Sequence, residues 1–152
     1  MARPSAADRL DIIEACTRFG WHADHREWER MAELLTDELY VDYSALVGGE
    51  PGEAKSAELI AGWKEQFARL AATQHLITNH LVEVDGDTAV CTAHFHAQHV
   101  AAVAHGDHKL VLSGHYRFGL VRTGGGWQIN SVEMTPTWST GNLAVLGLPG
   151  AS

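Results

Sequence analysis

The sequence predicts an α+β fold, three N-terminal helices packed into a curved antiparallel sheet, and three observations carry that reading. Apolar residues recur at helical intervals in the first half of the chain and at strand intervals in the second. The strand segments are separated by Asp85-Gly86-Asp87, His105-Gly106-Asp107 and Gly124-Gly125-Gly126, turn chemistry that folds consecutive strands into hairpins. Helices first and hairpins after is the α+β order, not the alternation of βαβ units.

The first helix spans Ala6 to Phe19, where Ala7, Leu10, Ile13, Ala15, Thr17 and Phe19 partly keep helical spacing and Asp8 and Asp11 suit an N-terminal turn. Gly20-Trp21-His22-Ala23-Asp24-His25 follows. Trp28, Met31, Ala32, Leu34 and Leu35 then mark a second short helix ending at Thr36-Asp37, so two helices meet near Asp24. Leu39 to Tyr43 alternates as a short strand, and Gly48 to Gly52 reads as a loop. Ser56 can cap a third helix, with Leu59, Ile60, Trp63, Phe67 and Leu70 at helical intervals to about Ala71. Strands follow at Gln74 to Val84, Thr88 to Ala104, Lys109 to Arg122 and Trp127 to Thr135. In the last, Trp127 and Ile129 share one parity and Val132 and Met134 the other, which a bulge near Asn130 explains. Residues 136–152 read as an irregular tail whose Leu143, Val145, Leu146 and Leu148 pack against another surface.

A chain of 152 residues fits one domain, residues 1–152, with room for a real core. A net charge of -8 without a basic cluster argues against nucleic acid, whose phosphates need Lys and Arg to displace counterions. No apolar run approaches a membrane span and the first residues lack a signal-peptide core, so a cytoplasmic protein is expected. Cys16 and Cys91 stand alone in a helical and a strand pattern, as buried reduced thiols.

The strand from Thr88 to Val103 has unequal faces. Alternate side chains share a side, so Ala89, Cys91, Ala93, Phe95, Ala97, His99, Ala101 and Val103 form a small apolar face broken once, by His99. His94 and His96 fall on the opposite, mixed face. In the next strand Leu110, Leu112, Tyr116, Phe118 and Leu120 form the apolar face, which makes Tyr116 a second inward polar candidate. His75 lies in a strand whose faces are both mixed, so periodicity does not place it. His94 and His96, two residues apart, can chelate a metal only with a third ligand, and none is evident; no metal is expected.

The run Ala23-Asp24-His25-Arg26-Glu27-Trp28, the strand Val41-Asp42-Tyr43-Ser44, Thr73-Gln74-His75, His99 twelve residues after Asp87, and Gly126-Trp127 resemble scytalone dehydratase and the SnoaL-like proteins of the nuclear transport factor 2-like superfamily. The joint order and spacing carry the resemblance, from about Ala6 to Trp138. It implies a cone-shaped α+β barrel with a deep pocket between helices and sheet. It also implies that Asp24, Tyr43, His75 and His99 match the dehydratase aspartate, first-strand tyrosine and paired histidines. Where the dehydratase pattern has a tyrosine immediately before the aspartate, this chain has Ala23. Related bile-acid dehydratases place a tyrosine where Phe19 stands.

These residues suit general acid–base chemistry. A carboxylate beside His99 would fix its tautomer, and Asp24 is the candidate partner. His75 can move a proton alpha to a carbonyl, while Tyr43 can donate to the enolate oxygen. The expected function is therefore a cofactor-independent dehydratase or cyclase acting on a small hydrophobic, oxygenated ring or polyketide-like compound. Asp24, Tyr43, His75 and His99 would be catalytic, and Tyr116, Phe19, Phe95, Trp63 and Trp138 would contact substrate. The alternatives are a ketosteroid isomerase-like isomerase and a non-catalytic ligand-binding or assembly module. The outer sheet face suggests a homodimer or homotrimer.

Overall fold

A computed structural model describes residues 3–149. In chain order the elements are α1 (Ala6–His25), α2 (Trp28–Leu34), β1 (Leu35–Asp42), α3 (Ser44–Val47), β2 (Gly52–Lys55), α4 (Ser56–Ala68), β3 (Ala72–Asp85), β4 (Thr88–Val100), β5 (Lys109–Thr123), β6 (Gly126–Gly141) and a final 3-10 turn, Leu143–Leu146. Within the described residues the strands form one six-stranded sheet, ordered β2-β1-β6-β5-β4-β3. Its concave face holds the helices, the α+β arrangement expected. The sheet is mixed, not wholly antiparallel: β3 to β6 form the hairpin meander, but β1 joins β6 in parallel, with Val41 opposite Val132. A pattern of turns reveals hairpins and is silent about a pairing between residues some ninety positions apart.

α1 is longer than its pattern suggested. Buried Ile12, Ala15, Cys16, Phe19, Gly20 and Ala23 recur every three or four residues, one continuous face against the sheet. Gly20, ordinarily a weak helix former, belongs to that face because a Cβ there would lie 2.9 Å from His75 Cβ and 3.0 Å from Ile77 Cδ1. The helix ends at Arg26, whose φ of 58° is left-handed and whose N–H closes onto Ala23 and His22 carbonyls.

Two bulges reconcile strand parity with burial. Gly119 pairs with Ser131 and Leu120 with Ile129, so Asn130 is the extra residue, and Trp127, Ile129, Val132 and Met134 are all buried. In β3 the register jumps between Thr78 and Leu81 at Asn79, whose φ is 58°. Asn tolerates that conformation. The jump turns Ile77 and Val82 both inward and leaves Leu81 70% exposed, which is why neither face of that strand read as apolar.

Other boundaries differ from the sequence reading. β1 begins directly after α2 and ends before Tyr43, and β2, paired with β1, starts at Gly52, the last residue of the stretch read as a loop. Asp42 Oδ1 accepts hydrogen bonds from Ser44 N (3.0 Å) and Ser44 Oγ (2.6 Å), starting the single turn of α3. Lys55, not Ser56, occupies the cap position of α4. Beyond Thr135, β6 continues to Gly141, and Asn142 Oδ1 accepts from Ala144 N (3.0 Å), opening a turn whose Val145 and Leu146 are buried. Residues 150–152, the end of the predicted irregular tail, lie outside the described residues. Cys16 and Cys91 are free and buried.

One polar network ties the start of α1 to the hairpins. Asp8 Oδ1 accepts from Arg122 Nη1 (2.8 Å) and Trp127 Nε1 (3.0 Å), Arg122 Nε also donates to Asp87 (3.0 Å), and the guanidinium lies 4.4 Å over the Trp127 ring. The Arg122 hydrogen bond, followed by those of Trp127 and Ser5, holds the Asp8 carboxyl far below the usual carboxylate range. A depressed folded-state value adds stability above the unfolded pKa of about 3.9 and loses it as pH falls toward the folded value. Asp8→Asn is therefore expected to lower Tm at pH 7 and to approach wild type below about pH 4, in paired thermal melts at low salt. An equal deficit at every pH would refute the charge-based account.

Candidate active site

Between α1, α3, α4 and the inner face of the sheet lies a cavity of about 280 Å³, lined by Phe19, Trp63, Phe67, Phe95 and Leu112 among others, with the side chains of Tyr43, His75, His99 and Tyr116 at its wall. A larger groove of about 810 Å³ runs outside α1 toward the β5–β6 turn. Its charged walls pair among themselves, Arg18 with Glu14 (2.6 Å) and Arg30 with Glu27 (3.5 Å), so the smaller and more apolar space is the better candidate.

Asp24 stands on the last turn of α1, facing the start of β3. Its Oδ2 accepts the backbone N–H of His75 (2.7 Å), and its Oδ1 accepts from Thr73 Oγ1 (2.9 Å) and His75 Nδ1 (2.6 Å). The two side chains are only 11% and 10% exposed. Burial alone would raise the Asp24 carboxyl, but the hydrogen bonds and charge of His75, aided by Thr73, outweigh it and leave the group below its ordinary value. With Nδ1–H held by the carboxylate, the lone pair of neutral His75 sits on Nε2.

Asp24 thus pairs with His75, not with His99 as the sequence reading had it. The reason lies in strand order: β3 is the edge strand beside the end of α1, and His99 sits one strand further in, opposite Thr73. The two imidazoles meet edge to face, with centroids 5.6 Å apart. His99 is 4% exposed and its Nδ1 has no partner among the described residues. Burial, with His75 adding to it and the Leu110 backbone opposing, pushes this imidazole down to about 4. His99 is neutral at pH 7. Burial also raises both phenols, Tyr43 and Tyr116, each still protonated at neutral pH.

Of the residues expected to contact substrate, Phe19, Phe95, Trp63 and Tyr116 do line the cavity. Trp138 does not. It lies beyond the register shift between Ser113 and Gly114, is 52% exposed, and packs against His96 on the outer face. Tyr43 reaches the cavity from just past the first strand, not from within it. His94 is exposed and His96 bonds Ser113 Oγ (2.7 Å), both away from the cavity. Among the described residues no three His, Cys, Asp or Glu side chains converge to hold a metal.

Sequence reasoning missed Thr73 and Arg26. Arg26 Nη1 donates to Thr73 Oγ1 (3.0 Å), Ala23 O (2.7 Å) and Asp24 O (3.3 Å), and its guanidinium lies 4.9 Å over Phe67. Thr73 passes that contact on by donating to Asp24. The signal for Thr73 was available, since residues two apart on a strand share a face and His75 was already a candidate. Nothing local marked Arg26.

A family model described as a SnoaL-like domain matches residues 4–133. The uncharacterized protein Rv2910c of Mycobacterium tuberculosis is 32% identical over 126 residues, 81% of each chain. The crystal structure of Kfla4162 from Kribbella flavida superposes with a TM-score of 0.87 at 30% identity, covering 92% of this chain and 97% of that one. A protein from Novosphingobium aromaticivorans, assigned only provisionally as a scytalone dehydratase, superposes at 0.77 with 18% identity over 88% and 87%. At that identity the likeness is one of fold.

Two measurements check this geometry. Below the unfolded histidine pKa of about 6.5 the unfolded chain binds a proton that folded His99 refuses down to about 4. His99 therefore makes stability fall as pH drops through that window, by up to about 1.4 kcal/mol per pH unit. His99→Leu should remove that component from urea-unfolding free energies compared at pH 7 and 4.5; an unchanged pH slope would contradict a neutral buried imidazole. Gly20→Ala should cost about 1–3 kcal/mol by overpacking and shift the His75 imidazole resonances, and a variant as stable as wild type would show that the α1–β3 contact is looser than described.

Proposed function

The chain belongs to the SnoaL-like domain family, and we propose that it is a cofactor-independent lyase, a dehydratase or cyclase, acting on a small hydrophobic oxygenated ring. The observation that carries this reading is the buried 2.6 Å contact between Asp24 and His75 Nδ1 beside a cavity of aromatic walls. Asp24 aligns the ring so that Nε2 takes a proton from the carbon alpha to a substrate carbonyl. The C–H electrons move toward the carbonyl oxygen. Tyr43 and Tyr116, protonated and turned to the same space, supply donors for the developing oxyanion.

In the second half the enolate regenerates the carbonyl, its electrons form the new C=C bond, and the β-hydroxyl leaves with the proton that His75 took up. The net change is loss of one water. His99, uncharged at neutral pH, presents a lone pair on whichever nitrogen lacks the proton and can accept from the departing hydroxyl before it leaves. Tyr116 would stand in for the hydroxyl that Ala23 and Phe19 do not provide. With a β,γ-unsaturated ketone that has no β-hydroxyl, the proton on His75 would return to the γ carbon of the dienolate and shift the double bond into conjugation, which is the isomerase reading.

The test is turnover of a cyclic β-hydroxy ketone, followed by enone absorbance and by loss of deuterium from the alpha carbon. His75→Ala and Asp24→Asn are expected to lower kcat by about 10²–10⁴, with Tyr43→Phe and Tyr116→Phe also impaired. Deuterium exchange without enone would favour the isomerase. Full turnover in His75→Ala would end the proposal.

A further inference from the structure

The cavity is not the only space its walls bound. A second, more open space of about 320 Å³ lies beyond Leu46 and Leu112, bordered by Pro136, Leu143 and Leu148, and no charged side chain lines it. Leu46 and Leu112 line both spaces. The two differ in how firmly they are held. Leu112 is buried within β5. Leu46 rides on α3, a single turn with no buried residue. Gly48 and Gly49 follow it at φ of 73° and 85°, and a Cβ added at either would touch nothing within 4 Å. The wall between the compartments is therefore one buried leucine in a central strand and one half-buried leucine on a single helical turn.

The polarity of the two spaces is also divided. All four titratable candidates, Tyr43, His75, His99 and Tyr116, are on the first cavity. The second offers only hydroxyls beside its apolar walls, and Thr137 Oγ1 already donates to Ser113 O (3.3 Å). We propose that the second compartment is an extension of the same site that takes an unbranched apolar arm of the ligand, with Leu46 as the yielding wall between arm and ring. The inference rests on the ring-binding reading above and narrows its substrate class to oxygenated rings carrying an alkyl chain. Each methylene that leaves water for apolar walls strengthens binding, up to about fourfold.

The test uses 4-alkylphenols from methyl to hexyl, titrated calorimetrically into the full-length protein, with the His75 and His99 imidazole resonances as an independent report on the ring. Expected is a two- to fourfold gain per methylene beyond ethyl. Leu148→Asp should abolish the gain while leaving 4-methylphenol affinity within about twofold, which also shows that the variant folds. An equal gain per methylene in wild type and Leu148→Asp, no gain in wild type, or no binding of any member would overturn the proposal. Gains that Leu148→Asp removes, without any shift of the His75 or His99 resonances by 4-methylphenol, would uphold the arm compartment and reject the ring-binding reading.

Discussion

The Asp24 carboxylate accepts three hydrogen bonds from one short piece of β3: the Thr73 hydroxyl, the His75 backbone and the His75 ring. A side chain bonded at once to backbone and imidazole fixes both where the strand starts relative to α1 and which way the ring faces. Much of the inner cone depends on that one anchor. Gly20 permits the approach, since any side chain there would meet His75 and Ile77. Arg26 supports it from behind by holding Thr73 and the Ala23 and Asp24 carbonyls. Arg26 takes a left-handed conformation to do so, a departure of about 1–2 kcal/mol that surrounding contacts sustain.

The electrostatics follow from the same anchor. Asp24 and Arg26 stand behind the histidine, not in the cavity, so the space where a ligand would sit is lined by an imidazole edge, a neutral second imidazole and two protonated phenols. Such a lining favours uncharged polar groups and offers no fixed cation to a carboxylate or phosphate. It also explains the difference between two histidines on neighbouring strands. His75 has a carboxylate, and His99 has aliphatic and aromatic neighbours with a nitrogen left over.

Much of the fold was legible in the sequence, because period-two and period-3.6 patterns report burial directly. β4 reads correctly to within a few residues, with His99 and Phe95 inward and His94 outward, and the switch of parity in β6 points to the bulge near Asn130. What stayed hidden depends on contacts between distant residues. The partner of Asp24 was misassigned because the order of strands across the sheet is not written in any local pattern. Trp138 was misplaced because the register shift near Pro136 turns its side chain outward, and β3 was ambiguous because the jump at Asn79 interrupts its parity.

The parallel pairing of β1 with β6 has a consequence for timing. Val41 is held by Val132 and Asp42 by Glu133, and Tyr43 follows immediately. The wall that carries this phenol is thus set by β6, the last strand in chain order among the described residues. During synthesis the hairpins can form early, since their contacts are local, whereas a pairing between residues some ninety positions apart closes later. A nascent chain on the ribosome would hold its Asp24–His75 pair before it holds Tyr43. The Tyr43 phenol therefore takes its place only once β6 has been made.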